Sequence, residues 1–315
     1  MHEQMPPRHH SHWQAHLANR GLKRRVLMIT LILRPTALKR LPLMGALFKA
    51  AFSDDMNARA ERLNEAMGLL AGVAQGMGFR RLKVSSGEWL GYLRGLIGQP
   101  VVKVLPMKGQ FLADSLTTSQ FTFRGKQVEI ESAGGRRFGT IFGVKSYPAR
   151  TWARMLDALE LPFDITITNS FTPARNNEIE ERIKRTARQM RASEDAAETL
   201  RQELYEAADN VASGRQVFGK HHLTVMVAAE SPEKLEEAAS EVWRAGQDCG
   251  ATLVRESFAA RAAWFAQAPG NWAYRPRTAL ISANNFAHLA ALHRVAEGRP
   301  KVQSPWGETI TGLPT

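Results

Sequence analysis

The segment from residue 120 to residue 256 constrains the fold most, because its apolar residues change repeatedly between an alternating and a helical pattern. On both sides of Arg124-Gly125-Lys126 apolar and polar residues alternate, which is typical of a β-hairpin with glycine in its turn. After this hairpin the patterns predict strand 136–146, helix 149–159, strand 163–171, two helices within 174–212, strand 217–229, helix 232–248 and strand 251–256.

This order of elements predicts an α+β fold. If the helical pair is treated as an insertion, the remaining elements follow the order β-α-β-β-α-β, which is the split βαβ plan of a ferredoxin-like sheet. We expect the four strands to form one antiparallel sheet, with helices 149–159 and 232–248 on one face. Ser231-Pro232-Glu233 supports the second helix, since it supplies a cap, a first-turn proline and an acid at the positive end of the helix dipole.

The inserted helical hairpin, residues 174–212, is unusually rich in charged side chains. An arm of this kind can protrude and mediate contact between subunits. It can equally be an exposed hairpin that has no partner. The sequence leaves both interpretations open.

A smaller and basic mixed α/β region, residues 21–118, precedes the ferredoxin-like region, which takes residues 119–267. Residues 1–20 combine histidine, proline and arginine without an apolar period, so they are predicted to form a disordered lead-in. Within 21–118 the patterns predict a buried strand at Val26–Leu33, a helix from near Ser53 to Gly78 with its apolar stripe in the core, a strand at 79–85, a helix at 87–97 and an extended run at 101–105.

Positive charge is concentrated in the amino-terminal half of the chain. The net charge is +12, and residues 1–108 hold 17 Lys and Arg against 6 Asp and Glu. Such a surplus attracts polyanions, so nucleic acid and an anionic membrane leaflet are candidate partners, beside a solvated face without a partner. No apolar run approaches the roughly 20 residues that span a bilayer. The residues expected to dock to a membrane or partner are Lys23, Arg24, Arg25, Lys39 and Arg40.

No motif predicts catalysis. The segment Gly214–His221, ending in Gly219-Lys220-His221, almost satisfies the spacing of a phosphate loop, but histidine replaces the hydroxyl residue that would hold magnesium. The segment also follows a helix and enters a strand, whereas a phosphate loop leaves a strand and opens a helix. We therefore predict that Lys220 and His221 begin a strand, and that the chain carries no catalytic, cofactor-binding or metal-binding residue.

Cys249 is the one cysteine, so an internal disulfide is impossible and a reducing compartment is expected. Its neighbours include no base that would activate the thiol. We therefore predict that Cys249 is a packing residue.

Residues 268–315 are predicted to form a connector. The alternation of aromatic and basic residues over 272–277 is also compatible with a stacking platform for single-stranded nucleic acid. Pro269-Gly270 and Pro276 favour a bent, extended segment whose rings pack on a neighbouring domain. The connector residues expected to make contacts are Asn271, Trp272, Tyr274, Arg275, Arg277 and Trp306.

Several short motifs of the connector resemble the segment before the nucleotide-binding domain in the VirB/CagE/TrbE family of type IV secretion ATPases. These motifs are Pro269-Gly270-Asn271, Tyr274-Arg275-Pro276-Arg277, Asn285-Phe286 and Pro305-Trp306-Gly307. The resemblance extends over most of the chain from about Arg25, and it favours the connector over base stacking.

The resemblance implies an amino-terminal docking and assembly domain, cytoplasmic and peripheral to the bacterial inner membrane. It also implies a homo-oligomer that contacts inner-membrane secretion subunits. In the family a following motor domain uses ATP and magnesium to energise conjugation or secretion. Because this sequence stops at Thr315 before a phosphate loop, we expect it to be inactive alone. An independent basic module that binds nucleic acid is the alternative.

Overall fold

The computed structural model describes residues 26–33, 45–73, 80–192 and 206–290, and it shows a mixed α+β chain. The helices are α1 (Gly45–Val73), α2 (Glu88–Leu96), α3 (Leu112–Leu116), α4 (Asn176–Ala192), α5 (206–212), α6 (Pro232–Asp248), α7 (Ala260–Ala266) and α8 (Ala283–Leu289). The strands are β1 (Gln120–Arg124), β2 (Gln127–Ser132), β3 (Gly135–Ser146), β4 (Asp164–Pro173), β5 (Phe218–Ala229), β6 (Thr252–Arg255) and β7 (Ala279–Ser282). Two short 3-10 helices cover Met155–Leu159 and Trp272–Tyr274.

The seven strands form one open antiparallel sheet. Its main path runs β1-β2-β3-β5-β4, while β6 pairs with β3 and β7 pairs with β5. β6 follows β2 along the same edge of β3, because β5 occupies the opposite edge. The four predicted strands therefore lie in the order β6-β3-β5-β4. The prediction of an α+β, ferredoxin-like sheet with a helical insertion between β4 and β5 is confirmed.

One face of the sheet packs against α6 and the 3-10 helix Met155–Leu159. Phe142 and Val225 from the sheet form one buried cluster with Leu159, Leu235 and Val242. The apolar residues of α6 recur at helical spacing, so a single stripe faces the sheet. The cap also forms as predicted, because the Ser231 hydroxyl accepts the amide of Lys234 at 3.3 Å.

The other face is covered by α7 and the end of α2. Trp264 is fully buried there, and its indole Nε1–H donates to the carbonyl of Ile97 at 3.0 Å. Two glycines make room for the ring, since a Cβ on Gly98 would lie 2.8 Å from Cζ2 of Trp264 and a Cβ on Gly139 would overlap it. The sequence patterns did not predict this second layer.

The first crossover differs from the prediction of an α-helix at 149–159. Only the 3-10 helix Met155–Leu159 forms, because Arg154 adopts a left-handed conformation with φ 69° that interrupts a longer helix. Pro148 and Pro162 also flank the segment closely. The apolar spacing was informative nonetheless, since Met155 and Leu159 are both buried.

The amino-terminal region departs further from the prediction. Residues 26–33 form no strand in the structure and are largely exposed, so the predicted buried strand is wrong. An apolar run of eight residues forms a strand only where a neighbouring strand offers a free edge. Here the segment instead contacts α2 through a hydrogen bond of 3.0 Å between Thr30 Oγ1 and Tyr92 Oη. The described residues from 80 to 85 also form no strand, whereas the helix predicted at 87–97 is confirmed as α2.

Helix α1 begins at Gly45, eight residues before the predicted start near Ser53, and Gly78 lies outside the described residues. Its described side chains, 56–73, are exposed or half-buried, so the methionine stripe is not the core that was predicted. Among the described residues no helix is both long and apolar enough to cross a bilayer.

The predicted extended run at 101–105 lies along the glycine face of α2 instead of joining the sheet. The amide of Val104 donates to the carbonyl of Gly87 at 3.1 Å. A Cβ on Gly91 would lie 2.5 Å from the carbonyl oxygen of Val102, so only glycine permits this approach. Backbone contacts of Val102 and Val104 therefore hold the segment against the helix. The side chain of Val104 packs on the buried cluster of α2, whereas Val101, Val102 and Leu105 stay exposed.

Candidate functional site

The connector returns to the sheet within the described residues. After α7 the Asn271 Nδ2 donates to the carbonyl of Phe265 at 3.0 Å, and the 3-10 helix Trp272–Tyr274 follows. β7 then pairs antiparallel with the start of β5, from Phe218 opposite Ser282 to His221 opposite Ala279. Over residues 268–282 the connector is therefore anchored at α7 and at β5.

An ion pair with the buried Glu256 holds the connector at Arg277. The Arg277 guanidinium donates through Nε to Glu256 Oε1 and through Nη2 to Oε2, the latter at 3.3 Å. Glu256 is only 2% exposed, whereas Arg277 is partly solvated. The hydrogen bond that Arg277 donates to Glu256 raises the pKa of Arg277 above its ordinary value. Gly143 permits the pair, because a Cβ there would lie 2.7 Å from Glu256 Oε1.

The other predicted connector residues do not form one aromatic row. Tyr274 is 61% exposed, while Trp272 and Arg275 are half-buried. The 3-10 turn rotates the rings of Trp272 and Tyr274 away from a common face, which argues against the stacking platform considered above. Trp306 lies outside the described residues.

Next to the connector, His221 is at the centre of a buried hydrogen-bonded chain. Its Nδ1 lies 2.7 Å from Tyr147 Oη, and its Nε2 lies 2.6 Å from Asn169 Oδ1. Asn169 Nδ2 in turn donates to the carbonyl of Leu289 at 2.7 Å. An amide oxygen only accepts, so Nε2 carries the proton and the Tyr147 hydroxyl donates to Nδ1. This series of hydrogen bonds therefore links α8 to β4, to β5 and to the first crossover.

Both histidines of this strand are held neutral. Burial lowers the pKa of His221 to about 3, with further contributions from His222 and Arg275. Burial and the charge of Arg275 lower the pKa of His222 to about 4. Burial also raises the pKa of Tyr147 to about 12, so its hydroxyl stays protonated as a donor. Within the described residues neither ring nitrogen of His222 has a hydrogen-bond partner.

The segment that almost satisfies a phosphate loop has a structural role. Gly219, Lys220 and His221 lie within β5, as predicted, and no helix follows them. Lys220 pairs with Glu178 of α4 at 2.7 Å, and a Cβ on Gly219 would lie 2.5 Å from Phe171 Cζ. Amides within a paired strand do not converge on a phosphate, so these residues do not fit a bound nucleotide.

An exposed apolar and basic surface lies in the amino-terminal half of the chain. We call the side chains along 101–112 the docking surface. Phe111 is 82% exposed there and Val101 73%, although both are large apolar side chains. Leu105 and Met107 are exposed between them, as are Lys103 and Lys108. Residues 80–112 contain 6 Lys and Arg against the single acid Glu88, so the surroundings are positive as well.

The five basic residues that the sequence predicts for docking, Lys23, Arg24, Arg25, Lys39 and Arg40, lie outside the described residues. The described residues nearest to them in sequence, 26–33, contact α2 through Thr30 and Tyr92. Glu256 and the docking surface were not predicted as site residues. A glycine inside the apolar run Ile141–Val144 is the one sequence signal for the Glu256 pair, because it indicates a close approach.

An open antiparallel sheet with covered faces, a firmly attached connector and an exposed apolar and basic surface defines an α+β domain whose prominent features are contact surfaces. The family model of the CagE, TrbE, VirB family, component of type IV transporter system, matches residues 78–277. The chain belongs to this family. The matched residues include α2, the whole sheet up to the connector and Arg277.

Individual relatives give the same assignment. The chain is 32% identical over 225 residues to the type IV secretion system protein virB4 of Bartonella henselae, which covers 71% of this chain and 28% of that protein. It is 29% identical over 329 residues to protein virB4 of Agrobacterium tumefaciens, and this match covers 98% of this chain and 41% of that protein. The type IV secretion system protein PtlC homolog of Bordetella bronchiseptica is 30% identical over 201 residues, and this match covers 64% of this chain and 24% of that protein. The chain thus spans between 24% and 41% of these relatives.

Proposed function

We propose that this chain is the docking and assembly part of a type IV secretion ATPase at the bacterial inner membrane. It acts peripherally, with the docking surface and the basic residues before it facing the anionic leaflet and the inner-membrane secretion subunits. We expect the connector to lead to a motor domain that uses ATP and magnesium, and this chain to supply no catalytic residue of its own. The single observation that carries the proposal is the exposure of large apolar side chains among lysines over 101–112.

The energetics favour contact with a surface that is both apolar and anionic. Burying a phenylalanine such as Phe111 contributes about 1.5–3 kcal/mol, and a lysine near an anionic leaflet contributes about 1 kcal/mol before screening. The two contributions reinforce each other at the docking surface, where Lys103 and Lys108 alternate with apolar side chains. Contacts with Gly87 and Gly91 hold the backbone at 102–104 in place, so little ordering entropy is lost there on docking.

Sedimentation with anionic vesicles tests the proposal. Combining Phe111→Ser with Lys103→Glu and Lys108→Glu should raise the lipid concentration for half-maximal sedimentation by about tenfold or more. Charge reversal at Lys23, Arg24, Arg25, Lys39 and Arg40 should weaken binding as well. Lys126→Glu with Lys145→Glu is the matched control, since these exposed lysines lie in the β1-β2 turn and in β3, outside the docking surface, and it should have a much smaller effect. If the unmodified chain does not sediment with anionic vesicles at low salt, the docking surface does not bind lipid.

The alternative function is a basic module that binds nucleic acid, and the charge of residues 1–108 is the observation in its favour. Binding to a short DNA across a range of salt concentrations separates the two functions. Neutralised phosphates give a steep linear dependence of log affinity on log salt, whereas a docking domain should bind DNA weakly. Tight, steeply salt-dependent DNA binding without vesicle binding would favour the alternative.

A further inference from the structure

Strand β4 forms a long edge of the sheet. It has ten residues and pairs with β5 alone among the described residues. The other strands with a single partner are much shorter, because β1 has five residues and β6 and β7 have four each. None of the residues of β4 is fully buried, whereas most of the neighbouring β5 is.

The edge lacks the features that usually prevent pairing with another strand. Its ten residues pair with β5 consecutively, from Asp164 opposite Ala228 to Pro173 opposite Gly219, so no bulge twists it away. It contains no lysine or arginine, and its one proline, Pro173, is the last residue. Threonine, isoleucine and phenylalanine make up most of the remainder and favour extended backbone. Ile167 at the centre is 37% exposed.

We propose that β4 pairs antiparallel with β4 of a second copy of this chain, across a two-fold axis near Thr168. The inference goes beyond the proposed function, because the docking surface takes no part in it. The sequence of the strand is complementary to itself in this register. Thr166 faces Ser170 of the copy and Ile165 faces Phe171, which are among the favourable kinds of cross-strand pair.

Charge and symmetry support the second copy as the occupant. Asp164 is the one ionisable residue of the strand, and in this register it faces Thr172, so the two aspartates lie at opposite ends of the interface. A two-fold axis also repeats every contact, so one strand whose only charge lies at its end supplies both sides. At about 3.4 Å per residue, the paired strands would join the two sheets over roughly 30 Å.

Oligomeric state is the direct test. Sedimentation velocity of the whole chain over micromolar concentrations should show a dimer. Ile167→Lys places two like charges beside the axis and should raise the dimer dissociation constant by about tenfold or more. Thr166→Lys should act in the same direction. Thr122→Lys at the centre of β1, the other edge of the main sheet path, is the matched control and should leave the dimer unchanged.

A cysteine introduced on the axis tests the register. Thr168→Cys should form a disulfide between two copies under mild oxidation, because residues directly opposite in antiparallel strands have Cβ atoms about 4.5–5.5 Å apart. Thr122→Cys should not, and neither should the unmodified chain, whose Cys249 is buried. A monomeric chain at these concentrations overturns the inference, as does a dimer that both lysine variants leave intact with circular dichroism unchanged.

The outcome is separable from that for the proposed function. Ile167→Lys should sediment with anionic vesicles as the unmodified chain does, since Ile167 lies outside the docking surface. The variants at Phe111, Lys103 and Lys108 should keep the dimer. Each of the two ideas can therefore fail alone.

Discussion

At the scale of single residues, the buried histidines show how the sheet tolerates polar groups. His221 satisfies both ring nitrogens through Tyr147 and Asn169, so its burial costs little beyond desolvation. His222 lies on the opposite side of β5 and gains no hydrogen bond within the described residues. Both are stable only as neutral imidazoles, and this makes stability depend on pH.

Stability should fall as the pH decreases from about 6.5 towards 4. The folded-state pKa values, about 3 for His221 and about 4 for His222, lie below the ordinary value, so the unfolded chain binds more protons in this window. The contribution of the two histidines to the free energy of unfolding is therefore fully present above about pH 7. It should decrease by at most about 2 kcal/mol per histidine at pH 5, measured by urea unfolding at several pH values.

His221→Gln and His222→Leu are the controls for this prediction. Each variant removes one titrating group and should flatten the dependence of the unfolding free energy on pH. Glu236, whose pKa is lowered by its hydrogen bonds from Arg255, loses its stabilising contribution only below about pH 4.5 and does not interfere. An unchanged slope in both variants would show that other groups control the acid response.

The candidate site could be predicted only in part from its residues. The motif of Tyr274 to Arg277 identified the connector, but neither composition nor spacing indicated that Arg277 pairs with Glu256, 21 positions earlier. That pairing depends on how α7 and the connector cross the sheet, which is a long-range property. The docking surface was missed for the opposite reason, because an apolar run at 101–105 looks like a strand until its partner, the glycine face of α2, is known.

At the scale of elements, the sequence predicted those whose pattern is complete within the segment. The hairpin β1-β2 has strict alternation and a glycine with φ 60° at its turn, and α6 has a cap, a first-turn proline and one apolar stripe. The predictions were wrong for two other segments. In the first crossover the left-handed conformation of Arg154 leaves only a 3-10 helix, and residues 26–33 are apolar but pair with no strand among the described residues.

The connector as an element should depend on the ion pair between Arg277 and Glu256. Arg277→Ala leaves the buried Glu256 carboxylate without its charged partner, and since Arg277 is partly solvated we expect a loss of about 2–3 kcal/mol in unfolding free energy. Hydrogen exchange over 271–282 should accelerate in the same variant. Adding Glu256→Gln should restore part of the loss, because it removes the unpaired charge.

Arg215→Ala is the matched control for the connector. Arg215 pairs with Asp209 at 2.6 Å, but both side chains are well exposed, so the change should be small. If Arg277→Ala costs no more than Arg215→Ala, the connector is held mainly by β7 pairing and the proposed role of Glu256 is wrong.

At the scale of the whole molecule, the sheet separates three kinds of contact. The docking surface lies beside α2, the connector crosses one face of the sheet towards β7, and the free edge of β4 lies at the end of the strand order. The proposed function, which requires contacts with a membrane platform, a neighbouring subunit and a motor, would need such separate surfaces.

The last prediction concerns nucleotide. Because Gly219, Lys220 and His221 are paired within β5, their amides cannot cradle a phosphate, and the purified chain should hydrolyse no ATP above background. Lys220→Ala should leave nucleotide binding unchanged, and its only expected effect is the loss of the exposed pair with Glu178. Asp114→Ala, far from this segment in sequence, is a suitable comparison. Saturable binding of ATP that disappears in Lys220→Ala but persists in Asp114→Ala would show that β5 rearranges into a phosphate-binding loop.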